Sequence, residues 1–185
     1  MAEIAPDDLP AATRARYVDD TAAQAAINAV LAAARRWCGW HVSPVRTNEV
    51  LDLDGPGGRV LSLPTMNLIS VSSVTQLGVS LDVSTLDKSR RKGTITNRFG
   101  CWSCRDGSIT ATITHGYTET EAADWRQAII DVVGTRSLAQ ITSRDSGDMK
   151  RKRIDDVEYE WFETLVSTDH ELAAKFSAFR ILQSP

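Results

Sequence analysis

Residues 108–115 read Ser-Ile-Thr-Ala-Thr-Ile-Thr-His and alternate polar with apolar side chains as far as Thr114. Because successive side chains of a strand point to opposite faces, Ile109, Ala111 and Ile113 share one face and the hydroxyl groups the other. Residues with β-branched side chains, such as Ile and Thr, also favour strands. The stretch therefore predicts a β-strand with one apolar face, from which the rest of the fold can be worked out.

The same two-residue period extends back from this strand to Val42. It is interrupted at Asp54–Gly58 and at Gly78, where residues that favour turns occur. Short strands with turns at close spacing predict an antiparallel sheet or a small sandwich. The predicted strands are Asn48–Leu53, Val60–Leu63, Leu68–Leu77, Val79–Val83 and Thr94–Thr96, the last within the polar and basic segment Leu86–Arg98.

Helices are predicted on both sides of this β region. From Asp19 to Cys38 apolar residues recur every three or four positions, and Gly39 supplies a left-handed stop. Thr118 and Glu121 form a capping box that starts a second helix, which is predicted to run to about Ala139. Its apolar face is Trp125, Ile129, Val132 and Val133.

The C-terminal part has a different composition. Residues 143–153 have the composition of a linker, and Ile154–Val166 alternates acidic with large apolar side chains, which predicts an extended chain. Thr168 and Glu171 form another capping box, which predicts a short closing helix with the stripe Leu172, Phe176 and Phe179.

These elements predict an α+β fold: a small helical bundle with an inserted antiparallel β-sheet or small sandwich, and an extended C-terminal arm ending in a helix. The predicted parts are an N-terminal helical part (1–45), a β insertion (46–117), a second core helix (118–142), and the linker, arm and closing helix (143–185).

Composition excludes several classes of protein. The 185 residues hold 21 Lys and Arg against 24 Asp and Glu, a net charge of −3, without the basic excess of a dedicated nucleic-acid binder. No apolar run approaches the roughly 20 residues that cross a bilayer, and the acidic N-terminus does not resemble a signal peptide. We therefore expect a protein made in the cytosol, with reduced cysteines and no membrane partner.

One local pattern suggests a metal site. Cys38-Gly-Trp-His41 and Cys101-Trp-Ser-Cys104 are two chelating pairs of the residue types that zinc binds. The separation of the pairs is far longer than in zinc fingers, and each pair has a structural explanation: Cys38 lies on the apolar helix face, and the second pair lies where a hairpin turn is expected. We therefore expect no bound metal or other cofactor, and retain a small zinc-stabilised binding module as the alternative.

Catalytic patterns are weaker still. Cys101 and Cys104 precede a glycine and a strand rather than opening a helix, so the redox context is missing. The sequence has no Gly-x-Ser-x-Gly elbow and no phosphate-binding Gly-rich loop. His115 could act as a general base, but its place at the end of a strand favours a structural hydrogen bond. We expect no enzymatic activity.

Two groups of residues are candidate contact surfaces. The C-terminal apolar group must pack either on its own domain or on a neighbouring subunit, and the two readings are equally open. Its members are Tyr159, Trp161, Phe162, Leu172, Phe176 and Phe179. The second group is the basic run of Lys150, Arg151, Lys152 and Arg153, which could contact DNA or an acidic partner, although the acidic residues that follow cancel its field. Lys88, Arg90, Arg91 and Lys92 form another basic cluster.

The order of several motifs resembles a known family. An Ala-rich helix ends in Trp37-Cys-Gly-Trp-His41 and is followed by Val42-Ser-Pro-Val45, Leu61-Ser-Leu-Pro64, Leu68-Ile-Ser-Val-Ser-Ser-Val-Thr75, Leu77-Gly78, Ile113-Thr-His-Gly-Tyr117 and an amphipathic helix. This order, over about residues 20 to 140, is similar to that of the head-to-tail connector, or adaptor, proteins of long-tailed bacteriophages of the siphovirus type, especially those of actinobacterial hosts. Two features depart from the family pattern: Glu119-Thr-Glu-Ala122 replaces a Pro-containing entry, and Cys101 and Cys104 have no counterpart.

The resemblance implies a structural virion protein at the head-tail junction, made in the host bacterial cytoplasm. Such a protein would form a dodecameric ring with copies of itself, between the portal protein and the tail-side connector, or stopper. The ring would continue the channel for packaged DNA, which it would contact non-specifically, and would help to retain and release that DNA.

Overall fold

The computed structural model describes residues 3–146, 151–154, 157–160 and 168–181. The chain divides into two compact units. The first, called here the helical unit, comprises Met1–Trp37 and Asp124–Ala178. The second, the β unit, comprises Cys38–Ala123 and Phe179–Pro185.

The helices are α1 (Ala11–Arg14), α2 (Asp20–Cys38), α3 (Ala123–Ser146) and α4 (Thr168–Phe176), with short 3-10 turns at Pro6–Asp8, Val83–Thr85 and Ser177–Phe179. At the start of α2 the Asp19 carboxylate accepts a hydrogen bond from the Ala22 N–H at 2.7 Å. Gly39 follows the helix with a φ of 79°, the left-handed conformation that glycine adopts without strain. The predicted first helix and both of its caps are confirmed.

The helical unit has a well-packed apolar interior. The rings of Trp125 on α3 and Phe176 on α4 meet edge-on with centroids 5.0 Å apart, a favoured aromatic geometry. Both side chains are fully buried. The other buried apolar residues of the unit are Ile4, Leu9, Ala23, Ile27, Val30, Leu31, Ala34, Ile129, Val132, Val133 and Leu172, which include the faces predicted from the helical period.

The second predicted helix has the expected capping box but different ends. Glu121 Oε2 accepts from the Thr118 N–H at 2.9 Å, and the Glu121 N–H donates to Thr118 Oγ1 at 3.2 Å. These bonds close a separate turn, and α3 itself begins at Ala123. The helix also continues to Ser146, past the predicted end near Ala139, because neither glycine nor proline occurs between Ala139 and Gly147.

The β unit contains two antiparallel sheets. Its strands are β1 (Arg46–Leu53), β2 (Val60–Ser62), β3 (Leu68–Gln76), β4 (Val79–Leu81), β5 (Leu86–Ser89), β6 (Thr94–Asn97) and β7 (Ile109–His115). One sheet has the order β1-β7-β3-β4 and the other β2-β6-β5. Strand β7 thus lies between two partner strands, β1 and β3, with Ala111 opposite both Leu51 and Val74.

Both sheets contribute to one apolar core. Ile109, Ala111 and Ile113 are fully buried, as the alternation of β7 predicts. They cluster with residues of both sheets and of the loops after β2 and before β7: Leu61, Leu63, Leu68, Val71, Val74, Leu86, Ile95 and Trp102. Sequence analysis missed β5, because Leu86 is its only buried residue and the other three are polar.

The C-terminal segment differs from the predicted single extended stretch. Arg151–Ile154 (β8) and Val157–Glu160 (β9) pair as an antiparallel hairpin, so the first strand lies in the segment assigned to the linker. The closing helix is confirmed as α4. The α+β class with antiparallel sheets and a helix near the C-terminus is also confirmed. Within the described ranges, no helix has the length and apolarity needed to span a membrane.

Candidate functional site

The predicted C-terminal contact residues are only partly described. Leu172 and Phe176 are buried, with 4% and 0% of their surfaces exposed, so α4 places them in its own unit rather than on a partner. Tyr159 lies on β9, opposite Lys152 in the register of the hairpin. Trp161 and Phe162 lie outside the described residues.

Ion pairs join α4 to α3. Arg136 Nε donates to the Glu171 carboxylate at 3.2 Å, and Lys175 Nζ lies 3.1 Å from Asp131 Oδ2. Hydrogen bonds from Gln127 and then Lys175 lower the pKa of Asp131. Beyond α4, the carbonyl of Phe179 accepts from Trp40 Nε1 at 2.7 Å within the β unit. The helix is therefore an integral part of the structure.

The predicted basic surface is only partly described. Lys150 lies outside the described residues, and Arg151, Lys152 and Arg153 lie on β8. The hairpin register sets Arg151 opposite Glu160 and Arg153 opposite Glu158. The register thus places the described part of the basic run, Arg151–Arg153, on the strand opposite Glu158 and Glu160.

The other basic cluster surrounds the turn between β5 and β6. Arg90 Nε donates to Asn67 Oδ1 at 2.9 Å, and the Asn67 amide donates to the Gly116 carbonyl at 2.7 Å. Arg90 thus holds the turn against the loop after β7. Lys88, Arg91 and Lys92 are exposed to solvent.

The described residues do not form the zinc site. No three His, Cys, Asp or Glu side chains among them lie close enough to hold a metal ion. Cys38 is buried, and this burial raises the pKa of its thiol to about 12, against an opposing effect of Arg180. Cys101 and Cys104 are instead exposed. A thiol with a raised pKa is a poor source of the thiolate that zinc binds.

His115 has the structural role expected from its position. It is 2% exposed, and its Nε2 forms a hydrogen bond with the carboxylate of Glu49 on β1. Burial alone would raise the pKa of Glu49, but hydrogen bonds with His115 and Arg46 lower it overall. Neither Ser nor Cys contacts this pair through a described hydrogen bond. The arrangement therefore holds β1 to β7 rather than activating a nucleophile.

Sequence analysis missed the role of Glu3. Its side chain is 4% exposed and forms an ion pair with Arg35 of α2. The same carboxylate accepts from Trp125 Nε1 at 3.2 Å, and the Glu3 carbonyl accepts from Arg126 at 2.6 Å. These bonds fix the N-terminal segment to α2 and α3. No local motif signals the role, because its partners are distant in sequence.

An open cleft of about 480 Å³ lies in the helical unit between Asp7 and Asp20, and we call it the 7–20 cleft. Leu9, Ala11, Ala15 and Val18 give it apolar walls. Val18 is 97% exposed. The Arg14 guanidinium forms ion pairs with both Asp7 and Asp20 on the same wall.

The β unit presents an exposed aromatic ring at the turn after β6. Phe99 is 84% exposed, although its backbone is held in place, since its N–H donates to Asn97 Oδ1 at 3.1 Å. Next to it, Trp102 anchors the loop through a 2.9 Å bond from its indole N–H to the Arg59 carbonyl. Sequence analysis did not single out Phe99 or Val18, because a lone apolar residue in a turn has no periodic signal.

The chain matches known proteins at the level of the fold. No family profile and no curated protein matches the sequence. A chain from the neck of an empty gene transfer agent particle, computed with C6 symmetry, matches with a TM-score of 0.57 and 13% identity, over 100% of this chain and 95% of that chain. The two chains share a fold. A chain from the virion of a native gene transfer agent particle matches with a TM-score of 0.52 and 12% identity, over 91% and 81% of the two chains.

Proposed function

We propose that this chain is a structural virion protein, a head-to-tail adaptor that forms a ring between the portal and the tail-side connector. The observation that carries the proposal is the fold shared, over the whole chain, with a chain from the neck of a gene transfer agent particle. The ring, a homododecamer as the family resemblance implies, continues the DNA channel and helps to retain and release DNA.

The chemistry of the described residues supports a structural rather than an enzymatic role. His115 is engaged in a buried hydrogen bond with Glu49 that joins two strands. The hydrogen bonds at Glu3 and the ion pairs of α4 instead stabilise the packing of helices. A protein that serves as a fixed part of an assembly needs rigidity of this kind and no reactive group.

We assign Tyr159, Trp161 and Phe162 of the arm, together with Phe179, to contact with the portal or with a neighbouring subunit. Leu172 and Phe176 are occupied in their own unit, so they support the arm by anchoring the helix that follows it. Aromatic residues are enriched at the centre of protein interfaces, where they bury large areas. The basic run Lys150–Arg153 is assigned a contact with passing DNA or with an acidic partner.

Replacing Tyr159, Trp161 and Phe162 together by Ser tests the arm without removing α4. We expect the variant to lose portal binding in a pull-down and to yield capsids that fail to join tails. The matched control replaces Asp155 and Asp156 by Asn and Glu163 by Gln in the same segment, none of which is a register partner of the basic run in the described hairpin. Normal portal binding and normal particles from the aromatic variant would refute the role of the arm.

Deleting the gene in the phage that encodes the chain tests the function itself. We expect unjoined capsids and free tails, with loss of packaged DNA, and rescue by the wild-type chain supplied in trans. Changing Lys150–Arg153 to Gln in the rescuing copy tests the basic run. Unchanged portal affinity together with unchanged DNA retention would contradict that assignment, and infectious particles without the chain would contradict the function.

A further inference from the structure

We propose that Phe99 of one copy docks into the 7–20 cleft of a second copy of this chain. The proposal names the contact between ring subunits, and it rests on the proposed function for the expectation that copies assemble into a ring. It follows from two surfaces of the same molecule, an exposed ring on the β unit and an open cleft in the helical unit.

Phe99 has the properties of an interface anchor. Single exposed apolar residues are common on protein surfaces, but a phenylalanine with 84% of its surface exposed leaves most of a large apolar ring in water. The bond from its N–H to Asn97 and the adjacent anchor of Trp102 hold its backbone. A ring presented from a fixed backbone loses little conformational freedom on binding.

The 7–20 cleft is open, large enough to admit an aromatic ring, and lined in part by apolar side chains. Its volume of about 480 Å³ lies within the range of small-molecule sites, and its apolar walls include Leu9, Ala15 and Val18. Val18 is 97% exposed, so the contact would remove two nearly uncovered apolar side chains from water at once. Burial of such surfaces is the main source of favourable free energy in association.

The charges at the two sites are complementary. Asp7 and Asp20 share the single guanidinium of Arg14, and Asp19 adds a third carboxylate to the cleft. The cleft is therefore net negative. Arg59, whose carbonyl accepts from the Asn97 N–H two positions before Phe99, is exposed and has no acidic partner among the described residues, whereas Arg98 is already paired with Asp87. Docking would place Arg59 of one copy near the acidic residues of the cleft of the next copy.

A contact of this kind is heterologous, because each copy contributes a different surface. Heterologous contacts propagate from one copy to the next and generate a ring when the rotation between copies closes. A contact that buried the same patch on both copies would stop at a dimer. The proposal therefore predicts a characteristic series of cross-linked species.

The natural cysteines provide the probe. Cys101 is exposed two positions from Phe99, and Cys38 is buried and will not react. The test chain carries Ala12→Cys, at an exposed position next to the lining residue Ala11, and Cys104→Ser, so that a short bismaleimide can join the edge of the cleft of one copy to Cys101 of the next. We expect a ladder of dimers, trimers and larger species at high protein concentration. The control carries Val79→Cys instead, at another exposed apolar position of the β unit, and should give no ladder.

Adding Phe99→Asp to the test chain should reduce the cross-linked fraction at least about tenfold, the effect expected for an interface anchor. A second pair of variants tests the direction of the contact. The Phe99→Asp variant has lost its docking ring but retains an open cleft. The Ala15→Trp variant has a blocked cleft but retains Phe99. Each alone should be a monomer by sedimentation, and their mixture should form a heterodimer and nothing larger.

A ladder that persists with Phe99→Asp, or the absence of a ladder in the test chain, would overturn the proposal. So would a mixture of Phe99→Asp and Ala15→Trp that forms no heterodimer. Virions with normal necks built from Phe99→Asp would also refute this contact while leaving the adaptor function intact. Absence of the wild-type chain from virions would instead refute the adaptor function.

Discussion

Replacing Phe176 by Ala tests whether the closing helix belongs to the core of the helical unit. Phe176 is fully buried, with its ring 5.0 Å from that of Trp125. Truncating a buried phenylalanine to alanine costs about 3–5 kcal/mol, from lost burial and from the cavity left behind. The free energy of unfolding of a domain is only about 5–15 kcal/mol, so the loss expected for Phe176→Ala is a large share of it.

Urea unfolding of the purified chain, followed by tryptophan fluorescence, measures this cost. With a urea m-value of about 2 kcal/mol/M, a loss of about 4 kcal/mol lowers the midpoint by about 2 M. Trp125 is a natural reporter because its ring contacts the altered site. Phe99→Ala is the matched control, since the same truncation at an exposed ring should change stability by no more than about 0.5 kcal/mol.

A loss below about 1 kcal/mol in Phe176→Ala would refute this reasoning. It would mean that α4 contributes little to the packed unit, and that its apolar face is available to a partner. The distinction matters for the arm, because an anchored α4 fixes the C-terminal end of the segment that carries Tyr159 and Trp161.

Three further predictions concern stability and metal content. Gly93→Ala should destabilise the β unit by about 2 kcal/mol or more, because Gly93 has a φ of 58° and an added Cβ would lie 1.9 Å from the Thr65 carbonyl oxygen. Gly58→Ala is the control, since its added Cβ meets nothing within 4 Å. Equal melting temperatures for the two variants would contradict the packing described. Folding lowers the pKa of Glu49 from 4.5, so the ionised carboxylate adds to the free energy of unfolding above pH 4.5, and this addition is lost as the pH falls through the folded value. Glu49→Gln should therefore weaken the dependence of stability on pH in the acidic range. An unchanged pH dependence would count against the Glu49–His115 bond. Purified protein should retain no stoichiometric zinc after dialysis, and a chelator should leave its melting temperature unchanged; a chelator-sensitive zinc signal would revive the zinc-module alternative.

Local periodicity accounts for most of what the sequence could predict about the fold. The alternation in β7 and the helical stripe of α2 are strong because each element buries one whole face. The signal weakens where an element buries little, as in β5, which has a single inward apolar residue. The capping box could not predict where α3 begins, since an isolated turn and the start of a helix form the same hydrogen bonds.

The candidate sites were harder to predict, because they depend on residues distant in sequence. The partners of Glu3 lie on two helices, and Glu49 meets His115 across a strand pair. The aromatic stripe at the C-terminus was correctly seen as apolar, but its pattern is the same for a helix packed on its own unit and for one packed on a neighbour. Only the fold shows that Leu172 and Phe176 are buried within the chain.

Imaging the neck of the phage virions to which we assign this chain tests the proposed adaptor function most directly. A localised cryo-EM reconstruction, with the chain identified by its side-chain density, would show which protein lies beneath the portal. Our account predicts a closed ring of this chain between the portal and the tail-side connector, around the DNA channel. A ring built from another protein at that position, with this chain absent from the neck, would contradict it.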